Sequence, residues 1–229
     1  MVKAVIFDLD DTLISEWDYI QSGFNAVSEF IKSEYKLNPE TVYSLLFKLF
    51  EEDRQLVFNR LLSELDLNQS QAMVKNLTQI YRNHHPKINY FPDVLPALAE
   101  LQQLNMRTGI ITDGYYQAQH LKIEAIKAEQ SFEAIIITDQ WGREFWKPHP
   151  RSFQEMKSIL QVEYDEMVYV GDNPAKDFYI GAVFPIRTIR ILRDGIYNNQ
   201  TYFKDVKETE QIDSLTELKN VLIRFNDQD

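Results

Sequence analysis

The chain is 229 residues long, 44% hydrophobic and 26% charged, with a formal net charge of -11 at pH 7. That is the composition of a globular protein, long enough for one large domain or a core with a smaller partner, and not of a disordered or fibrous one. The acidic balance disfavours nucleic acid as a partner, and the absence of cysteine excludes disulfides, thiolate metal sites and cysteine nucleophiles. No apolar run approaches the roughly 18 residues that span a membrane. The first apolar segment stops at Asp8, too short for a signal-peptide core, so the expectation is a soluble cytoplasmic protein.

In chain order, residues 3–7 read as a first strand. Residues 15–87 interrupt the rhythm, far beyond an ordinary strand-to-helix connection. Their pattern is helical: Val42, Leu45, Leu46 and Leu49 form a stripe, with Asn38 as N-cap and Pro39 at the first helical position. Further helical runs are expected at 55–65 and 69–81, and Pro86 and Pro92 mark the return of the chain. The spacing of Val94, Leu98 and Leu101 predicts another helix. Strand-like runs follow at 107–111, 134–137, 167–170 and 186–191, and a last helical stripe at 214–225. Strands alternating with helices predict a doubly wound parallel α/β sheet. Residues 1–14 and 88–229 would form this core, and 15–87 an inserted helical domain.

Polar residues fall where such sheets bind ligands, outside the carboxyl ends of the strands. Asp8 directly follows the first strand, Thr112 the second, and Asp172 the fourth after Gly171. Asp8 and Asp10, two apart in extended chain, point the same way. With Asp172 and Asp177 they make a carboxylate cluster that repels itself unless a cation sits within it, and hard oxygen donors suit Mg2+. A carboxylate beside such an ion serves as a nucleophile, and a second one moves protons. The Thr112 hydroxyl and the Lys147 ammonium suit the oxygens of a phosphoryl group.

Phe7-Asp8-Leu9-Asp10-Asp11-Thr12-Leu13 resembles the first motif of the haloacid dehalogenase superfamily. Ile111-Thr112-Asp113-Gly114 is similar to its second motif, Lys147-Pro148 to its third, and Gly171-Asp172-Asn173-Pro174-Ala175-Lys176-Asp177 to its fourth. The four occur in order, and the likeness covers the whole chain, including a helical cap after the first strand. The resemblance implies Asp8 as nucleophile, Asp10 as general acid and base, and Thr112, Asp113 and Lys147 as the phosphate-binding set. It also implies magnesium held by Asp8, the Asp10 backbone carbonyl, Asp172 and Asp177. Dehalogenases of this family usually lack an acid at the position of Asp10, so its presence favours phosphoryl transfer. The expected reaction is magnesium-dependent hydrolysis of a small phosphorylated metabolite, a sugar phosphate or nucleoside monophosphate, through an aspartyl-phosphate. A phosphomutase of the same fold and a module that accepts phosphate without turnover are the alternatives.

Other residues have plainer readings. Asp177 is expected either to bind the metal directly or to stand behind the ligands or reach it through water. The side chains of Asp11 and Asp113 are expected to cap local backbone donors. His84-His85 reads as loop rather than metal site, and His149 as a loop histidine beside a helix start. Arg187, Arg190 and Arg193 cannot share one face of a strand and are expected to be solvated, and Arg54 and Arg60 to be helix-surface charges. Trp17, Tyr19 and Phe24, with Trp141, Phe145 and Trp146, either stack on a substrate ring or pack cap against core.

Overall fold

The computed structural model describes residues 1–196 and 200–227. Five strands rise where the apolar runs lie: β1 (Ala4–Phe7), β2 (Arg107–Thr112), β3 (Ala134–Ile137), β4 (Met167–Gly171) and β5 (Arg187–Ile191). A sixth, β6 (Glu210–Ile212), completes one sheet in the order β3-β2-β1-β4-β5-β6, parallel throughout. Sequence reading misses β6. It has three residues, mostly polar, and is a strand only because it pairs with the edge of β5.

The chain divides into two compact units, Met1–Trp17 with Ile88–Asp229, and Asp18–Lys87. In the first, all four residues of β1 are fully buried, as central parallel strands must be. Alternation turns Ala4 and Ile6 to one face, with Ile111, Ile136 and Tyr169. That face is covered by Phe153, Met156 and Leu160 of α7 (Arg151–Leu160) and by Ile180 of α8 (Ile180–Val183). Elsewhere α5 (Val94–Gln103) packs against β2 and beside α9 (Leu218–Asp227), and α6 (Tyr116–Ala125) packs against β3. This is a doubly wound α/β fold. Its strand order reverses between β1 and β4, the switch point at which such sheets open a crevice.

The second unit is helical: α1 (Glu16–Tyr35), whose first two residues belong to the first unit, then α2 (Pro39–Glu52), α3 (Val57–Glu64) and α4 (Gln71–Asn83). Asn38 caps α2 by accepting from the backbone N–H groups of Glu40 and Thr41 at 2.8 and 3.2 Å. Tyr81 gathers the rings of Tyr19, Phe24 and Phe58 at centroid distances of 5.6, 5.9 and 5.7 Å. Among the described residues no helix is long and apolar enough to cross a membrane.

The three arginines of β5 and its exit depart from the solvated set expected of them. Arg187 lies over Phe225, Arg190 donates to the Tyr202 hydroxyl, and Arg193 lies over Phe91 while donating to Asp93. Their spacing keeps them apart, but each guanidinium finds an aromatic plane, which shields it from water without removing its hydrogen bonds.

Candidate active site

The backbone N–H of Asp8 donates to the Val170 carbonyl at 2.8 Å, so the residue leaves β1 level with the end of β4. The Asp177 carboxylate folds back beside the loop that follows β4, where its Oδ2 accepts from the Asn173 backbone N–H at 2.9 Å. A Cβ on Gly171 would stand 2.6 Å from that oxygen, so glycine is what lets this carboxylate approach. Asp8, Asp172 and Asp177 thereby bring one carboxylate oxygen each within 4.8 Å of the others.

Two lysines flank the nucleophile candidate, one for each oxygen. Lys147 Nζ lies 2.7 Å from Asp8 Oδ1 and 2.9 Å from Asp177 Oδ1, and donates to the Tyr169 hydroxyl at 2.6 Å. Lys176 Nζ lies 3.3 Å from Asp8 Oδ2. Burial pushes the Asp8 carboxyl up, but the charges of Lys147 and Lys176 more than offset it and hold the group below its ordinary value. At Asp172, burial together with the charges of Asp177 and Asp8 outweighs the attraction of Lys176 and pushes the carboxyl well up. Asp177 is also raised, burial outweighing the attraction of Lys147. In both lysines burial favours the neutral form, and the surrounding carboxylates overcome it and raise the pKa.

A divalent cation fits this donor set. The ligands are all buried carboxylate oxygens, and their mutual repulsion calls for positive charge. The site could hold a metal ion through Asp8, Asp172 and Asp177.

Asp10 does not join them, which corrects the expectation of a four-carboxylate cluster. The chain turns after Asp8, and the Asp10 side chain meets α6 instead. Lys122 Nζ lies 2.7 Å from Asp10 Oδ1, and Gln119 Nε2 donates to Asp10 Oδ2 at 2.9 Å. The same Gln119 amide donates to Thr112 Oγ1 at 2.5 Å, and Lys122 also reaches Glu16 Oε2 at 2.7 Å. Burial first, then the neighbouring Asp10 charge, pushes the Glu16 carboxyl up to about 8. The Asp113 carboxylate accepts from the Thr138 hydroxyl at 2.7 Å and the Lys147 backbone N–H at 3.0 Å, and its Oδ2 lies 3.8 Å from Lys176 Nζ.

Sequence reasoning missed Lys176, Tyr169, Gln119, Lys122 and Glu16. Lys176 had a signal, as a cation next to Asp177 within the fourth motif. Gln119 and Lys122 left only a faint one, two long polar residues three apart on a helix whose flanking positions are apolar. Other singled-out residues have contacts of their own. Asp11 accepts from the backbone N–H groups of Glu16 and Ile196, both at 3.0 Å. His149 accepts from the Arg151 N–H at the start of α7. His84 is held by the Tyr81 carbonyl at 2.6 Å and packs on Tyr19. Trp141 and Phe145 both lie 4.6 Å from the Arg151 guanidinium, and Trp146 Nε1 donates to Asp139. Arg60 is more than a surface charge, since it donates to the Leu49 and Asp53 carbonyls at the end of α2.

The haloacid dehalogenase-like hydrolase family matches residues 5–191, and the chain belongs to it. It is 34% identical to a glyceraldehyde 3-phosphate phosphatase of Pyrococcus abyssi over 186 residues, 78% of this chain and 76% of that protein. It is 24% identical to the pyrophosphatase PpaX of Bacillus mycoides over 98% of this chain and 99% of the other. In structure it resembles a HAD phosphatase from Thermococcus onnurineus, with a TM-score of 0.62, 23% identity, and coverage of 96% and 98% of the two chains. The protein is thus an enzyme of the phosphatase branch of this family, a hydrolase of phosphoric monoesters.

Proposed function

We propose that this phosphatase is magnesium-dependent and acts on a small phosphorylated metabolite through an aspartyl-phosphate formed on Asp8. One observation carries the reading. Asp8 is buried and is held ionised by a lysine at each oxygen. A carboxylate kept charged and stripped of water is a competent nucleophile.

In the first step an Asp8 oxygen attacks phosphorus and the ester P–O bond breaks, while Asp10 gives its proton to the departing alcohol oxygen. Water then attacks phosphorus, Asp10 takes its proton, and the bond to Asp8 breaks to release phosphate. The Thr112 hydroxyl, an acceptor from Gln119, keeps its own hydrogen for a phosphoryl oxygen. Lys147 and Lys176 add positive charge, and Asp113 contributes through its backbone N–H because its carboxylate is engaged elsewhere. Magnesium held by Asp8, Asp172, the Asp10 carbonyl and, directly or through water, Asp177 would neutralise charge on the transferred group.

The helical insertion, residues 15–87, takes the part of a substrate-selecting cap. The glyceraldehyde 3-phosphate phosphatase relative puts short sugar phosphates first among substrates. The test is phosphate release from a panel of triose, pentose and hexose phosphates, nucleoside monophosphates and pyrophosphate, with magnesium or chelator, and with Asp8→Asn. Metal-dependent release that disappears in the variant is the expected result. Release that persists in Asp8→Asn would overturn the assigned nucleophile.

A further inference from the structure

Two side chains of α6 occupy both oxygens of Asp10. Gln119 and Lys122 are three residues apart and so share a helix face. Lys122 Nζ lies 2.7 Å from Oδ1, and Gln119 Nε2 stands 2.9 Å from Oδ2. An amide nitrogen has two hydrogens to give, and the second goes to Thr112 Oγ1 at 2.5 Å. One side chain therefore spans from Asp10 to the hydroxyl at the end of β2. Lys122 is 3% exposed, yet it faces two carboxylates, Asp10 at 20% and Glu16 at 18%, both 2.7 Å away. Gly114 keeps the clamp open, since a Cβ there would come within 3.0 Å of the Gln119 side chain.

We propose that Gln119 and Lys122 are positioning residues that fix the rotamer of Asp10 toward the leaving-group oxygen and, in the second step, toward the attacking water. The inference rests on Asp10 being the general acid and base. Lys122 contacts the site through Asp10 and Glu16, whereas Gln119 also holds Thr112, so loss of Lys122 should damage chiefly the proton transfers.

That separates two kinds of substrate. An alkyl phosphate needs its departing oxygen protonated, whereas 4-nitrophenyl phosphate releases a stable phenolate unaided. The experiment compares kcat/KM, which reports the first chemical step, for the best sugar phosphate and for 4-nitrophenyl phosphate. The variants are Lys122→Met combined with Glu16→Gln, which leaves no bare carboxylate pair, Gln119→Leu, Lys122→Arg and Asp10→Ala. Melting curves and circular dichroism identify the folded ones.

The expected loss for the sugar phosphate is about 10²-fold in the double variant, with less than about tenfold for the aryl ester. With the aryl ester, phosphorylation stays fast while hydrolysis slows, so a burst of one nitrophenolate per site should appear that wild type lacks. Gln119→Leu should give a weaker form of the same pattern, and Lys122→Arg should recover most of the activity. If Asp10→Ala gives the split and the burst but both clamp variants lose activity equally on the two substrates, the clamp is merely structural and the proposal falls. If Asp10→Ala itself gives neither, the acid–base reading fails first.

Discussion

Asp8 and Asp10 stand two residues apart, the first met by two lysines and the second by one, and the two clusters are built differently. Around Asp8 the two acids and one lysine are sealed, with Asp8 1%, Lys147 0% and Asp177 0% exposed, while Lys176 at 24% reaches the site from the edge. Around Asp10 the lysine is buried while both carboxylates keep about a fifth of their surface in contact with solvent. The difference follows the work proposed for each. A nucleophile gains from being ionised and dry, so it is enclosed and matched with charge. A group that passes protons to an alcohol and from water needs an open side, so it is held from behind only. Depth, not residue type, separates the roles.

The comparison breaks hardest at Lys147. Replacing it with Met leaves Asp8 and Asp177 facing each other without water, and removal of one partner of a fully buried pair costs about 3–5 kcal/mol. Urea denaturation should read a loss of that order, and phosphate release should fall to background. Divalent cation comes next. Magnesium at about a hundred times its dissociation constant should stabilise the fold by about 2.7 kcal/mol, read as a higher melting temperature that chelator reverses. Asp172→Asn should blunt that rise, since it removes one carboxylate of the triad; an undiminished rise in the variant would put the cation elsewhere.

The half-open cluster should yield less. Lys122→Met removes charged hydrogen bonds worth about 1–3 kcal/mol, so its denaturation midpoint should lie between those of wild type and Lys147→Met. A reversed order would undo the contrast in depth. One more effect is one of pH. Burial and then the Asp10 charge raise Glu16 to about 8 in the folded chain, against an ordinary 4.5. The folded state thus holds a proton that the unfolded state gives up. Stability from this group is complete below the unfolded value and drains away as the pH climbs to about 8. Glu16→Gln should flatten that part of the profile when unfolding is followed between about pH 5 and pH 9.

Much of this could be read along the chain. The five apolar runs announce their strands because a central parallel strand is buried on both faces and needs β-branched, hydrophobic residues in succession. Asp8, Thr112 and Asp172 are legible because strand ends are local features and the ligand edge follows from topology. β6 was not legible, since three residues, Glu210 to Ile212, carry no burial pattern and become a strand by pairing alone. Nor was the fate of Asp10. Alternation of side chains holds only while the chain stays extended, and here it turns within the motif, where Asp11 adopts a left-handed conformation with φ of 52°.

The sequence by itself determined the family, the parallel α/β core, the helical insertion and the four polar stations at the sheet's edge. Each of these rests on periodicity, on short motifs or on order along the chain, which folding cannot rearrange. Only the tertiary structure decided which cation serves which acid. Lys147 and Asp177 are 30 residues apart, and Lys122 and Asp10 are 112 apart. No pattern in one dimension couples such pairs. They meet because β1 lies between β2 and β4, which brings the helix after one strand and the loop after the other to opposite sides of a single turn.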